Sequence, residues 1–534
     1  MIGAFLVGAL GASSLVGDPA GGPNELARIA RVTTAEGWSV GEVALHDLDG
    51  DGEADLCLSL SGPGGARRLE GRTKRKTGVA FQAAPDRTVD LPRDVVAWAL
   101  ADVHADPGDE FVLFGPTAVF AVRPGAPEAE RFAKLATVEL LWQSPEGHAF
   151  GWQDGVLDVD GDGLDDLVVP GPGFERVLLQ RRDAAGKADF ARAFDLVVGE
   201  TRSAADARGL AKGKGEVRQP GGKRSVSVSF GGEGFEIGSA KRAAGTLLAI
   251  DDSVPAGRFH DWDGDGDSDA LFLRDDALVV FRQEPRGTFP SAPSLVLDSP
   301  VVRDRSRALD LSFDVWSRDL DRDGRVDVVV AAGDRRSKEP RTQVQTFLQA
   351  RGASEAWDSA RFPLFGPEGT PSGLLVLAGL GRLVEVRDVD GDGRDDLVAV
   401  ALKADLIDEL RASASETIDM ELYVFRGAPL GFEKKPALVR RVALPASGGD
   451  RTVAFAGDVT GDGVAELFVR DDAERLRVLL VRRGKAGALE LSDRPIWELS
   501  LERDARVVLP ERLGAGSWDL FAWTAGGVTC ASFR

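Results

Sequence analysis

Five times along this chain the acids fall in one frame, Asp-x-Asp-x-Asp-Gly-x-x-Asp, at residues 47–55, 158–166, 261–269, 319–327 and 388–396. In each copy, alternate side chains can converge on a single point, and the glycine permits the tight reversal that convergence needs. Two looser copies, 102–110 and 458–466, keep the acids at positions 1 and 5 and end in glutamate. Units that recur this often dictate the fold as a whole, because a lone hairpin is marginal in water and must stack on its neighbours.

The first acids of the seven loops are residues 47, 102, 158, 261, 319, 388 and 458, separated by 55, 56, 103, 58, 69 and 70 residues. Each loop lies between two apolar, strand-like runs. The second run begins at loop position 10, which is Leu56, Phe111, Leu167, Ala270, Val328, Leu397 or Leu467. Position 2 is also always apolar (Leu48, Val103, Val159, Trp262, Leu320, Val389, Val459), as a plug onto a core would be. A hairpin of this kind leaves room for two more strands before the next copy, and in the first unit these fall at 66–71 and 88–91. Four strands per unit of this length make a propeller blade.

The fold class expected is therefore all-β, a β-propeller of four-stranded blades, with eight blades favoured and seven as the alternative. Residues 505–510, 518–523 and 528–533 repeat the strand pattern around a loop, 511–519, that has lost its acids at positions 3 and 5. This eighth blade lacks a fourth strand, which the run at 26–33 can supply, so that N- and C-terminal strands share one blade and leave no open edge. Residues 25–534 thus read as one propeller with insertions at 200–249, 333–343 and 402–418. The first insertion contains a strand pair, 225–230 and 234–238, and reads as an extended hairpin in preference to a ninth blade. The second is a polar loop. The third spaces Leu402, Leu406 and Leu410 as a short amphipathic helix would, to pack on a neighbouring blade.

Residues 1–20 have the apolar run and small residues of a secretory leader, although no Lys or Arg precedes them. No other stretch is long enough to cross a bilayer. The expected location is outside the cytoplasm, secreted, periplasmic or at a bacterial cell surface, where millimolar calcium fills weak sites. Cys57 and Cys530 lie in apolar runs at opposite ends of the chain and are expected as buried free thiols. The formal charge of −21 argues against nucleic acid or anionic membrane as a partner.

Much of that negative charge sits in the loops, and their chemistry selects the cation. Calcium takes six to eight oxygen ligands, zinc would want His or Cys, and magnesium keeps more of its water. The expected carboxylate ligands are Asp47, Asp49, Asp51 and Asp55; Asp158, Asp160, Asp162 and Asp166; Asp261, Asp263, Asp265 and Asp269; Asp319, Asp321, Asp323 and Asp327; and Asp388, Asp390, Asp392 and Asp396. The looser loops would use Asp102, Asp106 and Glu110, and Asp458, Thr460, Asp462 and Glu466. Position 7 would add its backbone carbonyl. Five to seven Ca²⁺ ions follow. An Asp-Gly turn alone needs one acid, not four at fixed offsets.

The run Asp388-Val-Asp-Gly-Asp-Gly-Arg-Asp-Asp-Leu397 resembles the FG-GAP/VCBS repeats of secreted bacterial proteins and the calcium-binding blades of integrin α-chain propellers. The resemblance covers nearly all of 25–534 and implies calcium at the acids just named, on one face of the ring, with partners or glycans on the other. Departures are His104 and Pro107, Thr460, the empty eighth loop, and the absence of a Phe-Gly…Gly-Ala-Pro stretch. No G-x-S-x-G elbow, H-E-x-x-H helix or phosphate loop is present, so the chain is expected not to be an enzyme. The expected function is a monomeric, secreted, calcium-binding scaffold for adhesion, recognising a protein or a glycan through 333–343, 402–418 or the basic 212–223. The alternative is a polysaccharide lyase built on a calcium-bearing propeller.

Overall fold

The computed structural model describes residues 26–533 except 75–80, 83, 124, 128–129, 139–150, 153–154, 172–173, 184–185, 199–222, 231–247, 256, 263–264, 274–276, 285–286, 299–310, 335–340, 350–370, 403–416, 446–452, 473 and 513–517. The chain folds into a ring of eight antiparallel, four-stranded blades. Blade one runs Ser39–His46, Asp55–Ser61, Arg67–Arg72 and Arg87–Asp90, each strand beside the next. The following blades repeat this order, and the second gains a fifth short strand, Gly151–Trp152, parallel to Ala97–Ala101. Short 3-10 turns are found at Pro63–Gly65 and Lys485–Gly487.

The core shows why the ring closes at eight. It divides into apolar clusters, each shared by two consecutive blades. Leu48, Cys57 and Leu69 of the first blade meet Trp98, Leu100 and Phe111 of the second. The same pairing continues round the ring: second with third, third with fourth, fourth with fifth, fifth with sixth, sixth with seventh and seventh with eighth. Leu56, Leu58 and Leu60 then pack on Phe521, Trp523 and Val528, joining the first blade to the eighth. The second strand of a blade is covered on both faces, so Asp55–Ser61 and Asp396–Leu402 are buried almost throughout. Outer strands alternate, as in Gly373–Ala378, because one face looks outward.

Loop positions 2 and 10 enter different interfaces. Leu48 faces the second blade whereas Leu56, after the turn, faces the eighth. This split recurs at Val159 and Leu167 and at Val389 and Leu397, so every acidic loop is anchored to both neighbouring blades.

The eighth blade is shared by the two ends of the chain. Arg506–Arg512, Trp518–Thr524 and Gly527–Phe533 pair in order, and Ala27–Thr33 adds the outer strand in seven register pairs from Ala27↔Phe533 to Thr33↔Gly527. Cys57 and Cys530 are free and buried in separate interfaces.

The insertions differ in detail from expectation. Lys223–Phe230 does form an antiparallel ribbon, but its partner is Leu248–Pro255; the expected partner at 234–238 lies outside the described residues. The ribbon is two-stranded and separate from the eight blades, so it is no ninth blade. Part of the polar loop expected at 333–343 belongs to strands Asp327–Asp334 and Arg341–Phe347. The helix expected over 402–418 falls largely on 403–416, outside the described residues; Leu402 ends one strand and Thr417–Phe425 forms the next.

Candidate metal centres

Each acidic loop is held open by hydrogen bonds to its own backbone. In 388–396, Asp388 Oδ1 accepts from Gly391 N at 2.7 Å and its Oδ2 from Gly393 N at 2.8 Å. Asp390 Oδ1 accepts from Asp392 N at 3.1 Å, and Asp392 Oδ1 from Arg394 N at 2.8 Å. Asp396 closes the loop. Its Oδ2 accepts from Val389 N at 3.0 Å, and its Oδ1 from Gly427 N, just past the third strand, at 2.8 Å. The turn needs a left-handed residue at position 6, supplied by Gly52, Gly163, Gly266, Gly324, Gly393 and Gly463, all with φ between 83° and 94°. Such bonds fix the direction of each carboxylate and leave it lone pairs to spare.

Five loops bring three ligand oxygens within 4.8 Å of one another: Asp47, Asp49 and Asp55; Asp158, Asp160 and Asp166; Asp319, Asp321 and Asp327; Asp388, Asp390 and Asp396; and Asp458, Asp462 and Glu466. These clusters could hold metal ions. Position 5 joins the group only as Asp462, although Asp462, like Asp51, Asp162, Asp323 and Asp392, accepts the N–H of position 7. Thr460 donates its hydroxyl to Glu466 Oε1 at 2.9 Å. In the fourth blade Asp263 lies outside the described residues, but Asp261 accepts from Asp265 N and Gly266 N at 3.1 and 2.9 Å, the same frame.

The loop of the second blade is built differently. Asp102, Asp106 and Glu110 are not among the groups brought together. Pro107 has no N–H to offer at position 6, and the left-handed residue slips one place to Gly108, with φ 94°. Arg182, from the third blade, pairs with Asp102 Oδ1 at 2.6 Å and donates to the His104 carbonyl at 2.6 Å. In the acid-poor eighth loop Lys74 reaches Asp519 at 3.2 Å. Both degenerate loops therefore carry a cation from the protein itself.

Burial sets the electrostatics of position 9. It pushes the carboxyls up to about 6 at Asp55 and Asp396, about 7 at Asp166, Asp327 and Glu466, and about 8 at Glu110, while backbone N–H donors pull the other way. A buried acid with such a cost needs a compensating positive charge. Arg181 pairs with Asp160 and Asp162, Arg282 with Asp265, and Arg426 with Asp390 and Asp392, so a guanidinium at or just past the third strand supplies part of it in these three loops. Asp160 Oδ1 stays buried with no donor among the described residues. A donor set of carboxylate oxygens with one left over suits a hard divalent cation.

Sequence reasoning missed a set of glutamines that tie these loops together. Gln180, Gln283 and Gln349 each give their backbone N–H to a position-9 acid, at 2.6, 2.8 and 2.9 Å. Each side-chain amide then reaches back to the preceding blade's loop: Gln180 to the Asp102 carbonyl, Gln283 to that of Val159, and Gln349 to that of Trp262. The signal was a glutamine fourteen residues after the last acid in the third and fourth units; an insertion stretches this to 22 in the fifth. Gln283→Leu, which strands the carbonyls of Val159 and Ser268 and the N–H of Gly287, is expected to cost about 2–3 kcal/mol in urea denaturation. An unchanged midpoint would show that the staple contributes nothing.

Fold and loops together define an eight-bladed propeller whose blades turn on acidic, nine-residue hairpin loops. Residues 261–330 match the FG-GAP-like repeat and residues 150–181 the FG-GAP repeat. Two stretches of this eight-bladed propeller are thus FG-GAP-like. No curated relative matches it. Similar solved structures include the exotype rhamnogalacturonan lyase YesX, at 12% identity over 94% of this chain and 75% of that one with a TM-score of 0.41. Another is a Bacillus licheniformis rhamnogalacturonan lyase, at 11% identity over 95% and 75% with a TM-score of 0.41. A third is an Agrocybe aegerita lectin that recognises non-reducing terminal N-acetylglucosamine, at 14% identity over 89% and 99% with a TM-score of 0.37. Likeness at this level assigns no activity. It does correct the expectation of a non-enzyme: lyases stand among the similar structures, so the lack of a familiar catalytic motif does not make this chain inactive.

Proposed function

We propose that this chain is a calcium-braced binding platform that works outside the cytoplasm and recognises a glycan or a protein. The observation that supports it is the repetition of one oxygen-only frame, with three converging acid oxygens in five loops, all at the same hairpin of the blade. Calcium there would neutralise carboxylates that burial penalises, and would lock each hairpin between two blades. The connections from second to third strand leave the ring on the face away from these loops, as after Asp334 and Leu402, and that face is free to carry recognition. No helix among the described residues is long and apolar enough to cross a membrane.

The test is a calcium titration by calorimetry followed by a glycan array in calcium and in EGTA, with products checked for chain shortening. Five or more ions per chain are expected, one fewer for Asp327→Asn, with ligand retention that needs calcium. No bound calcium at millimolar concentration would remove the reading, and shortened oligosaccharides would convert the platform into an enzyme.

A further inference from the structure

Where the second blade's loop abandons the cation frame, the surface changes character. An open cavity of about 510 Å³ is bordered by His104 and Asp106 of that loop, by Arg123 after the blade's third strand, and by Gly186 and Lys187 from the third blade. That volume suits a small polar ligand. Its walls are held in place: Arg182 grips the His104 carbonyl at 2.6 Å, and Gly186 packs so closely that a Cβ there would lie 3.0 Å from the Ala105 methyl.

The polar groups at the cavity are uncommitted. Among the described residues the Arg123 guanidinium and the Lys187 ammonium make no ion pair or side-chain hydrogen bond, and the buried His104 Nε2 has no partner. Two such cations against Asp106 leave one net positive charge, on a chain whose formal charge is −21. A cationic spot on a strongly acidic surface concentrates anions there, and Asp106 disfavours highly charged ones. Asp106 can also accept hydrogen bonds from hydroxyl groups.

We propose that this cavity binds a hydroxylated monoanion, a sugar carrying one carboxylate or sulfate group. Arg123 and Lys187 take the anionic group, and Asp106 and His104 Nε2 take neighbouring hydroxyls. The site goes beyond the calcium-braced platform, since it lies at a loop whose acids are not among the converging groups and needs no metal.

Calorimetric titration of the full chain with glucuronate, glucose 6-sulfate and glucose tests it, in calcium and again in EGTA at a temperature where the chain stays folded. Both charged sugars are expected to bind roughly tenfold or more tighter than glucose, the worth of one charge-assisted hydrogen bond. Their order tells which acid group the cavity prefers. Arg123→Ala and Lys187→Ala should each weaken binding roughly fivefold or more without moving the melting temperature, and Arg123→Lys should recover most of the loss. Equal affinity for glucose, no binding of either charged sugar below about 10 mM, or variants that bind like the parent chain would overturn the proposal. Binding of the charged sugars in EGTA separates this site from the calcium reading.

Discussion

Addition of EGTA is expected to lower the melting temperature by roughly 10 °C or more, the largest single effect foreseen for this protein. Five converging acid groups would each lose a ligand. At a hundredfold excess over its dissociation constant each ion contributes ~2.7 kcal/mol, so a few sites match a typical margin of roughly 5–15 kcal/mol. The pH profile should change sign with the metal. Without it, burial holds the position-9 carboxyls at about 6 to 7 in the folded chain against about 4 when unfolded, so the folded state holds more protons between these limits. Stability of the EGTA-treated chain therefore rises as pH falls from 8 towards 5. With calcium bound the same carboxyls must stay ionised, protons compete with the ion, and stability falls over that range. Melting curves at several pH values, with and without EGTA, decide it; a melt indifferent to EGTA would end the calcium reading.

The second large effect concerns closure. Excision of residues 1–34 removes the strand Ala27–Thr33 and bares the whole edge of Gly527–Phe533. Most side chains of that strand face outward, and only Ala27 is buried, so the loss is mainly a ladder of seven register pairs. At roughly 0.5–1 kcal/mol per pair this costs about 3.5–7 kcal/mol, and the exposed edge invites pairing between chains. The truncated chain is expected to melt well below the parent and to elute as aggregates on size exclusion. A monodisperse product with an unaltered melt would mean that the strand is ornamental.

Much of this architecture was legible in the residues, for a physical reason. A hairpin whose turn must gather four acids has a fixed length, so its frame survives in sequence, and the apolar residues at positions 2 and 10 survive with it because each fills a blade interface. Ring closure was legible through the eighth unit, which had three strands and no fourth. The amide staples were not, because Gln283 and Gln349 owe their meaning to carbonyls 124 and 87 residues away. Nor was the reassignment of the second loop. Pro107 signalled an altered turn, but Arg182 and Arg123 reach the loop only through the fold. The ribbon partner at 248–255 was missed because the intervening stretch offered a nearer apolar pairing.

In the eighth blade Ala27 and Phe533 are register partners, side by side at the same end of adjoining strands. A few residues joining them would make a hairpin like those that link third and fourth strands elsewhere, and the backbone would become an endless loop. New termini could then be cut at the corresponding hairpin of another blade, since each such turn is an equivalent corner of the ring.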